Sequence, residues 1–237
     1  MIDWHSHVLP KMDDGSRSVA ESMAMLRSLQ TDGVSCVIAT PHFYANHDSV
    51  NTFLKRRQEC FETLLSSMYD GAPELRLGAE VKYYSGISKM EGLQRLTVDN
   101  TNILLLEMPM ARWTEYTVKE ILALAASGTL TVVLAHVERY IGFQHRGTLE
   151  RLCDGGVLVQ VNAGSMQTFG NRRRIFKLFD AGLVHFIGSD CHDLTTRPPC
   201  MAGAYDRIAK RFGTSYVRDM ISFGQMIIKQ KERNTEK

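Results

Sequence analysis

Seven short apolar runs, at 2–5, 34–39, 75–79, 103–106, 131–135, 157–161 and 184–187, recur along the sequence with room for a helix between neighbours. They are rich in β-branched residues and leucine. Their apolar character is largely continuous rather than alternating, which suits strands covered on both faces of a parallel sheet. Between them, apolar residues follow helical spacing: Val19, Met23 and Leu26 in one segment, and Val118, Ile121, Leu122 and Ala125 in another. Gly33, Gly128, Gly156 and Gly182 stand between a helical segment and the next strand, where a left-handed residue must end the helix. This alternation predicts an α/β chain folded as a seven-stranded TIM-like barrel, with functional side chains collected on the loops after the strands.

A length of 237 residues with 44% hydrophobic content suits one core, so a single domain over 1–237 is expected. Net charge is only +2, and the basic clusters at 55–57 and 172–174 are short. They read as solvated helix faces, and no nucleic-acid partner is expected. Cys36, Cys60, Cys153, Cys191 and Cys200 are odd in number and contain no Cys-x-x-Cys pair, which argues against a disulfide framework and a thiolate zinc site. A reducing cytoplasm is the expected location. No window approaches the ~18 apolar residues of a membrane span, so no membrane insertion is expected. A cleaved leader would remove His5 and His7, so the mature chain is expected to start at Met1. The charged stretch 230–237 is expected to fray.

Polar residues of one chemical type fall at or just after the predicted strand ends: His5 and His7, His42, Glu80, Glu107, His136, and Asp190 with His192. Asp14 joins them from the first loop. His5 and His7 at i and i+2 project from one side of an extended chain, so both imidazoles can reach one ion. A lone His-x-His is weak evidence; its repetition at strand ends that converge on a barrel mouth is strong. Five histidines and four carboxylates exceed one tetrahedral zinc site and suit two or three bridged ions. The carboxylates carry four negative charges, so three divalent ions would leave about +2, reduced to about +1 by a bridging hydroxide. That surplus attracts an anion such as phosphate. Nitrogen and oxygen donors without thiolate suit manganese, iron or zinc. His47, His145 and His185 read as structural or surface residues.

Arg139 and Arg197 stand close to ligands and are expected to hold phosphate oxygens through their planar forks, the alternative being salt bridges that fix loops. Cys191 and Arg197 reproduce the Cys-x5-Arg spacing of thiolate phosphatases. Their intervening residues contain no glycine to wrap a phosphate, so a cysteine nucleophile is not expected.

His5-Ser6-His7, Asp13-Asp14-Gly15, Thr40-Pro41-His42, Gly78-Ala79-Glu80, Leu106-Glu107, Ala135-His136 and Ser189-Asp190-Cys191-His192 occur in this order. In them the chain resembles the polymerase and histidinol phosphatase (PHP) superfamily. Leu9-Pro10-Lys11-Met12-Asp13-Asp14-Gly15, His136-Val137-Glu138-Arg139-Tyr140 and Arg197-Pro198-Pro199 look like the manganese-dependent tyrosine phosphatases of bacterial capsule and exopolysaccharide clusters, the CpsB/YwqE type. The similarity spans nearly the whole chain.

The resemblance implies a distorted barrel with three divalent ions, Mn2+ before Fe or Zn. It also implies a substrate in the phosphotyrosine-containing tail of a bacterial tyrosine kinase. Matched motif to motif, one ion takes His5, His7, Glu80 and Asp190; a second takes Asp14, His42 and His192; a third takes Glu80, Glu107 and His136. Asp13 is the other candidate for the second ion. Two departures stand out: Cys191 replaces an expected alanine or methionine and raises the question of redox sensitivity, and the stretch 164–171 is short.

The expected reaction is hydrolysis of an aryl phosphate by a metal-bound hydroxide, with coordination pulling the pKa of water from 15.7 toward ~7. Phenolate, with a pKa of about 10, leaves without strong acid help. The alternatives are a phosphatase for small monoesters such as histidinol phosphate, an amidohydrolase-like enzyme, and a silent binding module. An amidohydrolase-like barrel often bridges its ions with a carbamylated lysine, whereas Glu80 and Glu107 stand at the bridging positions. A silent module would be expected to have lost ligands. Metal identity, substrate sequence and oligomeric state are not legible in the sequence.

Overall fold

The computed structural model describes residues 1–235. Its nine strands are β1 (Ile2–Ser6), β2 (Cys36–Ala39), β3 (His42–Phe43), β4 (Glu74–Leu77), β5 (Glu80–Lys82), β6 (Ile103–Glu107), β7 (Thr131–Leu134), β8 (Leu158–Asn162) and β9 (Phe186–Gly188). Around them lie α1 (Val19–Thr31), α2 (Val50–Leu65), α3 (Glu115–Ala126), α4 (Thr148–Asp154), α5 (Phe169–Asp180), α6 (Met201–Phe212) and α7 (Thr214–Thr235). Every strand pairing is parallel. All seven anticipated strands occur within two residues of their expected bounds. Gly33, Gly128, Gly156 and Gly182 all have positive φ, as helix termination by a left-handed residue requires.

The architecture differs from one continuous seven-stranded barrel. The strands form a three-stranded sheet, β1-β2-β4, and a curled six-stranded sheet, β3-β5-β6-β7-β8-β9. The difference arises where two expected strands break. After β2 the chain meets Pro41, which has no N–H to give to a ladder, and it resumes as β3 in the other sheet. After β4 it breaks at Gly78 and Ala79 and resumes as β5. The Gly78 carbonyl accepts a 2.6 Å hydrogen bond from the buried Arg57 guanidinium. Arg57 therefore belongs to the interior, not to the solvated face expected of 55–57. At the other edge, Ser6 bridges Cys191, and the Asp190 amide donates to the His5 carbonyl at 2.7 Å.

The inside of the curl is layered. Ile2, Trp4, Ile38, Ile103, Leu105, Val133 and Phe186 form an apolar floor. The α7 helix crosses it: Phe223 lies 5.8 Å from the Phe186 ring, which stacks on Trp4 at 3.8 Å. A larger apolar cluster packs the helices against the outside of the sheets. β1 contains a register irregularity between Asp3 and Ser6, which lets Ile2 and Trp4 join the floor while His5 and His7 join the polar layer above it. Gly188 permits this approach, because a Cβ there would stand 2.5 Å from the His5 Cβ. The expected fraying of 230–237 lies partly outside the described residues, and α7 is helical as far as Thr235. Among the described residues, no helix is long and apolar enough to cross a membrane.

Candidate metal centre

The polar layer lies at the carboxyl ends of the strands, where loops from a parallel sheet converge. Glu80, the first residue of β5, stands at its centre and is almost wholly buried. Its Oε2 lies 3.2 Å from His5 Nε2, 3.4 Å from His7 Nε2 and 2.9 Å from His42 Nδ1. Its Oε1 lies 2.6 Å from His136 Nε2, which in turn is 4.0 Å from Glu107 Oε1. Asp190 Oδ1 lies 3.5 Å from both His5 Nε2 and His7 Nε2. On the outer side, Asp14 Oδ1 is 3.3 Å from His42 Nε2 and 3.4 Å from His192 Nε2. Nine residues from seven stretches of chain thus gather in one cluster.

Their donor atoms fit cations. His5 Nε2 and His7 Nε2 approach to 3.1 Å, which one shared proton or one ion between the lone pairs can satisfy. Glu80 Oε2, His42 Nδ1 and His192 Nε2 are buried without a hydrogen bond. Buried polar atoms are normally partnered, so three such atoms in one cluster mark positions for ligands from outside the chain. The groups His7/Asp14/His42/His192, His5/His7/Glu80, His5/His136/Asp190 and His42/Glu80/Glu107 each bring donor atoms within 4.8 Å of one another. The residues therefore fit metal binding.

Supporting residues hold these rings. Asp13 Oδ2 accepts from His7 Nδ1 at 2.7 Å and from the His42 amide at 2.9 Å, while its Oδ1 accepts from the Gly15 amide. Both Asp13 oxygens are thus engaged, and Asp14 is the carboxylate beside His42 and His192. A carboxylate on the far nitrogen of a ligating histidine fixes its tautomer and raises its basicity. Burial opposes charging of His7, but Asp13 and Glu80 outweigh it and raise the imidazole to about 10. Burial also opposes ionisation of Glu80 and Asp190, and the surrounding histidines overcome it, holding both carboxyls well below their usual range. His192 is pushed down to about 4 by burial and by the charges of His7 and Arg197. An imidazole must be neutral to coordinate, so a cation entering this cluster would displace any proton on its ligands.

The strain is also local. His136 and Asp190 have φ of 32° and 51°, a left-handed conformation that costs non-glycine residues energy. Arg139 and Arg197 come together at Asp190: one donates to Oδ2 at 2.5 Å and the other to Oδ1 at 2.7 Å. Both guanidiniums are about one-third exposed and line a cavity of about 210 Å³ beside Asp190. Asp193 ties the loop that carries Arg197 by accepting from the Thr195 and Thr196 amides.

Several participants escaped the sequence reading. Gln160 and Asn162 project from one face of β8: Gln160 accepts from the His136 amide at 2.7 Å, and Asn162 donates to Asp190 at 2.6 Å. Two polar residues at i and i+2 in an apolar strand were the available signal. Glu138 accepts from the Asn162 amide and from Ser165, and Lys82 pairs with Glu107 at 2.9 Å. Asp3, buried under His5 and bonded to Ser189, is raised to about 6 by burial.

Cys191 is fully buried, and burial raises its thiol well above the ordinary value, the reverse of an activated nucleophile. All five cysteines are free. His185 is half-buried and its Nδ1 accepts from the Val159 amide, whereas His47 and His145 are exposed.

Residues 1–228 match the family described as capsular polysaccharide synthesis, CpsB/CapC. The chain belongs to the CpsB/CapC family. It is 29% identical to the tyrosine-protein phosphatase CpsB of Streptococcus pneumoniae, over 93% of this chain and 94% of that protein. It is also 29% identical to the tyrosine-protein phosphatase YwqE of Bacillus subtilis, over 90% of this chain and 86% of that one. Its fold is similar to a solved structure from work on YwqE of Bacillus subtilis and CpsB of Streptococcus pneumoniae, described as unique metal-dependent tyrosine phosphatases. That match has a TM-score of 0.84 at 25% identity and covers 98% of this chain and 95% of the other.

Proposed function

We propose that this CpsB/CapC member is a metal-dependent protein-tyrosine phosphatase, working as one catalytic domain whose two sheets, with the interrupted pairs β2/β3 and β4/β5 each counted as one strand, make up a distorted seven-stranded PHP-type barrel seamed at Ser6 and Cys191. The observation that carries the reading is Glu80: a buried carboxylate ringed by four imidazoles, with an oxygen that makes no hydrogen bond. His5, His7, Glu80 and Asp190 would hold one divalent ion, Asp14, His42 and His192 a second, and Glu80, Glu107 and His136 a third. Manganese is the expected metal, and iron or zinc suits the same donors.

Bound divalent ions supply an acidified water and positive charge for the phosphoryl oxygens. The chain's own part is orientation. Asp13 holds the His7 ring, Gln160 holds the His136 backbone, and Asn162 holds Asp190. Arg139 and Arg197 stand where their free N–H groups can meet a phosphoryl group as charge develops on it. Phenolate, with a pKa of about 10, needs no strong help from an acid to leave. A phosphotyrosine side chain reaches an open cavity of this kind. The substrate is read as the phosphotyrosine-bearing tail of a bacterial tyrosine kinase in capsule or exopolysaccharide synthesis, met in the cytoplasm.

The test compares a phosphotyrosine peptide with histidinol phosphate on the same preparation, as purified, after chelation, and after each metal is restored. The expected outcome is metal-restored release of phosphate from the peptide at far higher kcat/KM. Faster hydrolysis of histidinol phosphate, or peptide hydrolysis indifferent to chelation, overturns the reading.

A further inference from the structure

A second cavity, of about 650 Å³, lies between the loops that follow β6 and β7. Glu107 ends the first of these strands and His136 lies two residues past the end of the second, so this groove shares the face of the sheet that carries the metal centre. Arg112, Trp113, Val118, His145, Arg146 and Arg151 line it.

Its charge is unbalanced. Glu115 is the one carboxylate in the lining, and it is already engaged by Arg151 through two bonds of 2.9 and 2.7 Å. Among the described residues, neither Arg112 nor Arg146 has a carboxylate partner; Arg112 reaches the Phe143 carbonyl at 3.4 Å. The exposed side chains of Met110 and Phe143 belong to the same two loops.

The groove is also built rather than loose. Gln144 staples the two loops, accepting from the Trp113 amide at 2.9 Å and donating to the Ala111 and Tyr140 carbonyls. Behind it, Trp113 packs on Tyr140 at 5.1 Å, and Tyr140 lies 6.0 Å from the His136 ring. A rigid floor therefore links the groove to the centre.

We propose that this groove binds an anionic stretch of the peptide substrate flanking the phosphotyrosine under attack. The proposal rests on the phosphatase reading. Unpaired guanidiniums favour carboxylates and phosphates alike through bidentate hydrogen bonds, so the flanking anions are either acidic side chains or further phosphotyrosines.

Three peptides of equal length, each with one central phosphotyrosine, separate these sources: one has neutral flanks, one glutamate flanks, and one a second phosphotyrosine. They are assayed with the metal-loaded protein by hydrolysis and, independently, by fluorescence anisotropy, with p-nitrophenyl phosphate as the small substrate. Wild type is expected to favour one or both anionic flanks by ~10-fold or more in KM, a preference that salt weakens. The double variant Arg112→Glu/Arg146→Glu should lose that preference while p-nitrophenyl phosphate turnover stays within about twofold. Arg112→Lys/Arg146→Lys should keep most of it, which separates charge from folding. Equal affinity for all three peptides in wild type, or an undiminished preference in the glutamate variant, overturns the groove. If no substrate is hydrolysed, the phosphatase reading fails, and the anisotropy ranking still decides the groove.

Discussion

The floor and the mouth of the curled sheet are built from the same strands and obey opposite rules. On β6, Ile103 and Leu105 enter the apolar floor, and two residues later Glu107 enters the mouth. On β9, Phe186 stacks in the floor, and four residues later Asp190 meets His5 and His7. The floor gains from burial and asks little of its residues beyond volume and apolarity. The mouth buries carboxylates, imidazoles and a strained backbone, all of which oppose folding without compensation. One end of the sheet thus stabilises a structure that tolerates the other.

That contrast can be broken at either end. Glu80→Gln removes the hub of the mouth while leaving the floor intact. It should lower phosphatase turnover by ~10³-fold or more, on the scale of losing a central charge-stabilising element, with reduced metal content by elemental analysis. Trp4→Ala attacks the floor instead. Emptying that stacked site should cost about 3–5 kcal/mol in urea unfolding, with turnover per folded, metal-loaded molecule nearly unchanged. Parallel losses of activity and stability in both variants would erase the distinction.

Smaller effects sharpen it. Chelation should lower the melting temperature, since an ion held at 100 times its dissociation constant stabilises by about 2.7 kcal/mol, and a curve that EDTA leaves unchanged counts against a metal-filled mouth. Arg139→Ala should lower turnover by ~10²-fold, and near-wild-type kinetics would remove Arg139 from the reaction.

The smallest concerns Glu120, which clamps the loop after β5 through Tyr83, Gly86 and Ser88. Burial opposes its ionisation, but these donors outweigh it and hold the carboxyl below its ordinary 4.5. A depressed pKa contributes stability above the unfolded value that is lost as pH falls below it. Glu120→Gln should therefore flatten the stability profile below about pH 4.5 and leave its shape at neutral pH alone.

Much of the mouth was legible because its residues interrupt apolar strands at their carboxyl ends. His5, His7, His42, Glu80, Glu107, His136, Asp190 and His192 stand out by residue type against such surroundings. Gln160, Asn162 and Glu138 did not, since an amide or carboxylate within a strand or turn has meaning only through the backbone group it meets. The broken strands were hidden for a related reason. β3 and β5 are two and three residues long and open on a ligand each, so neither carries enough apolar pattern to register as a strand. Arg57 was misread as solvated because the carbonyl that binds it exists only where β4 ends.

Local sequence determined the alternation of strands and helices, the glycine helix ends, and the chemical kind of residue at each strand end, because these follow from patterns within a dozen neighbouring residues. Tertiary structure decided which of two adjacent aspartates stands beside His42 and His192, that both arginines meet at Asp190, and that the strands divide into two sheets. Those outcomes depend on distances between segments far apart in the chain, which packing sets and periodicity does not record.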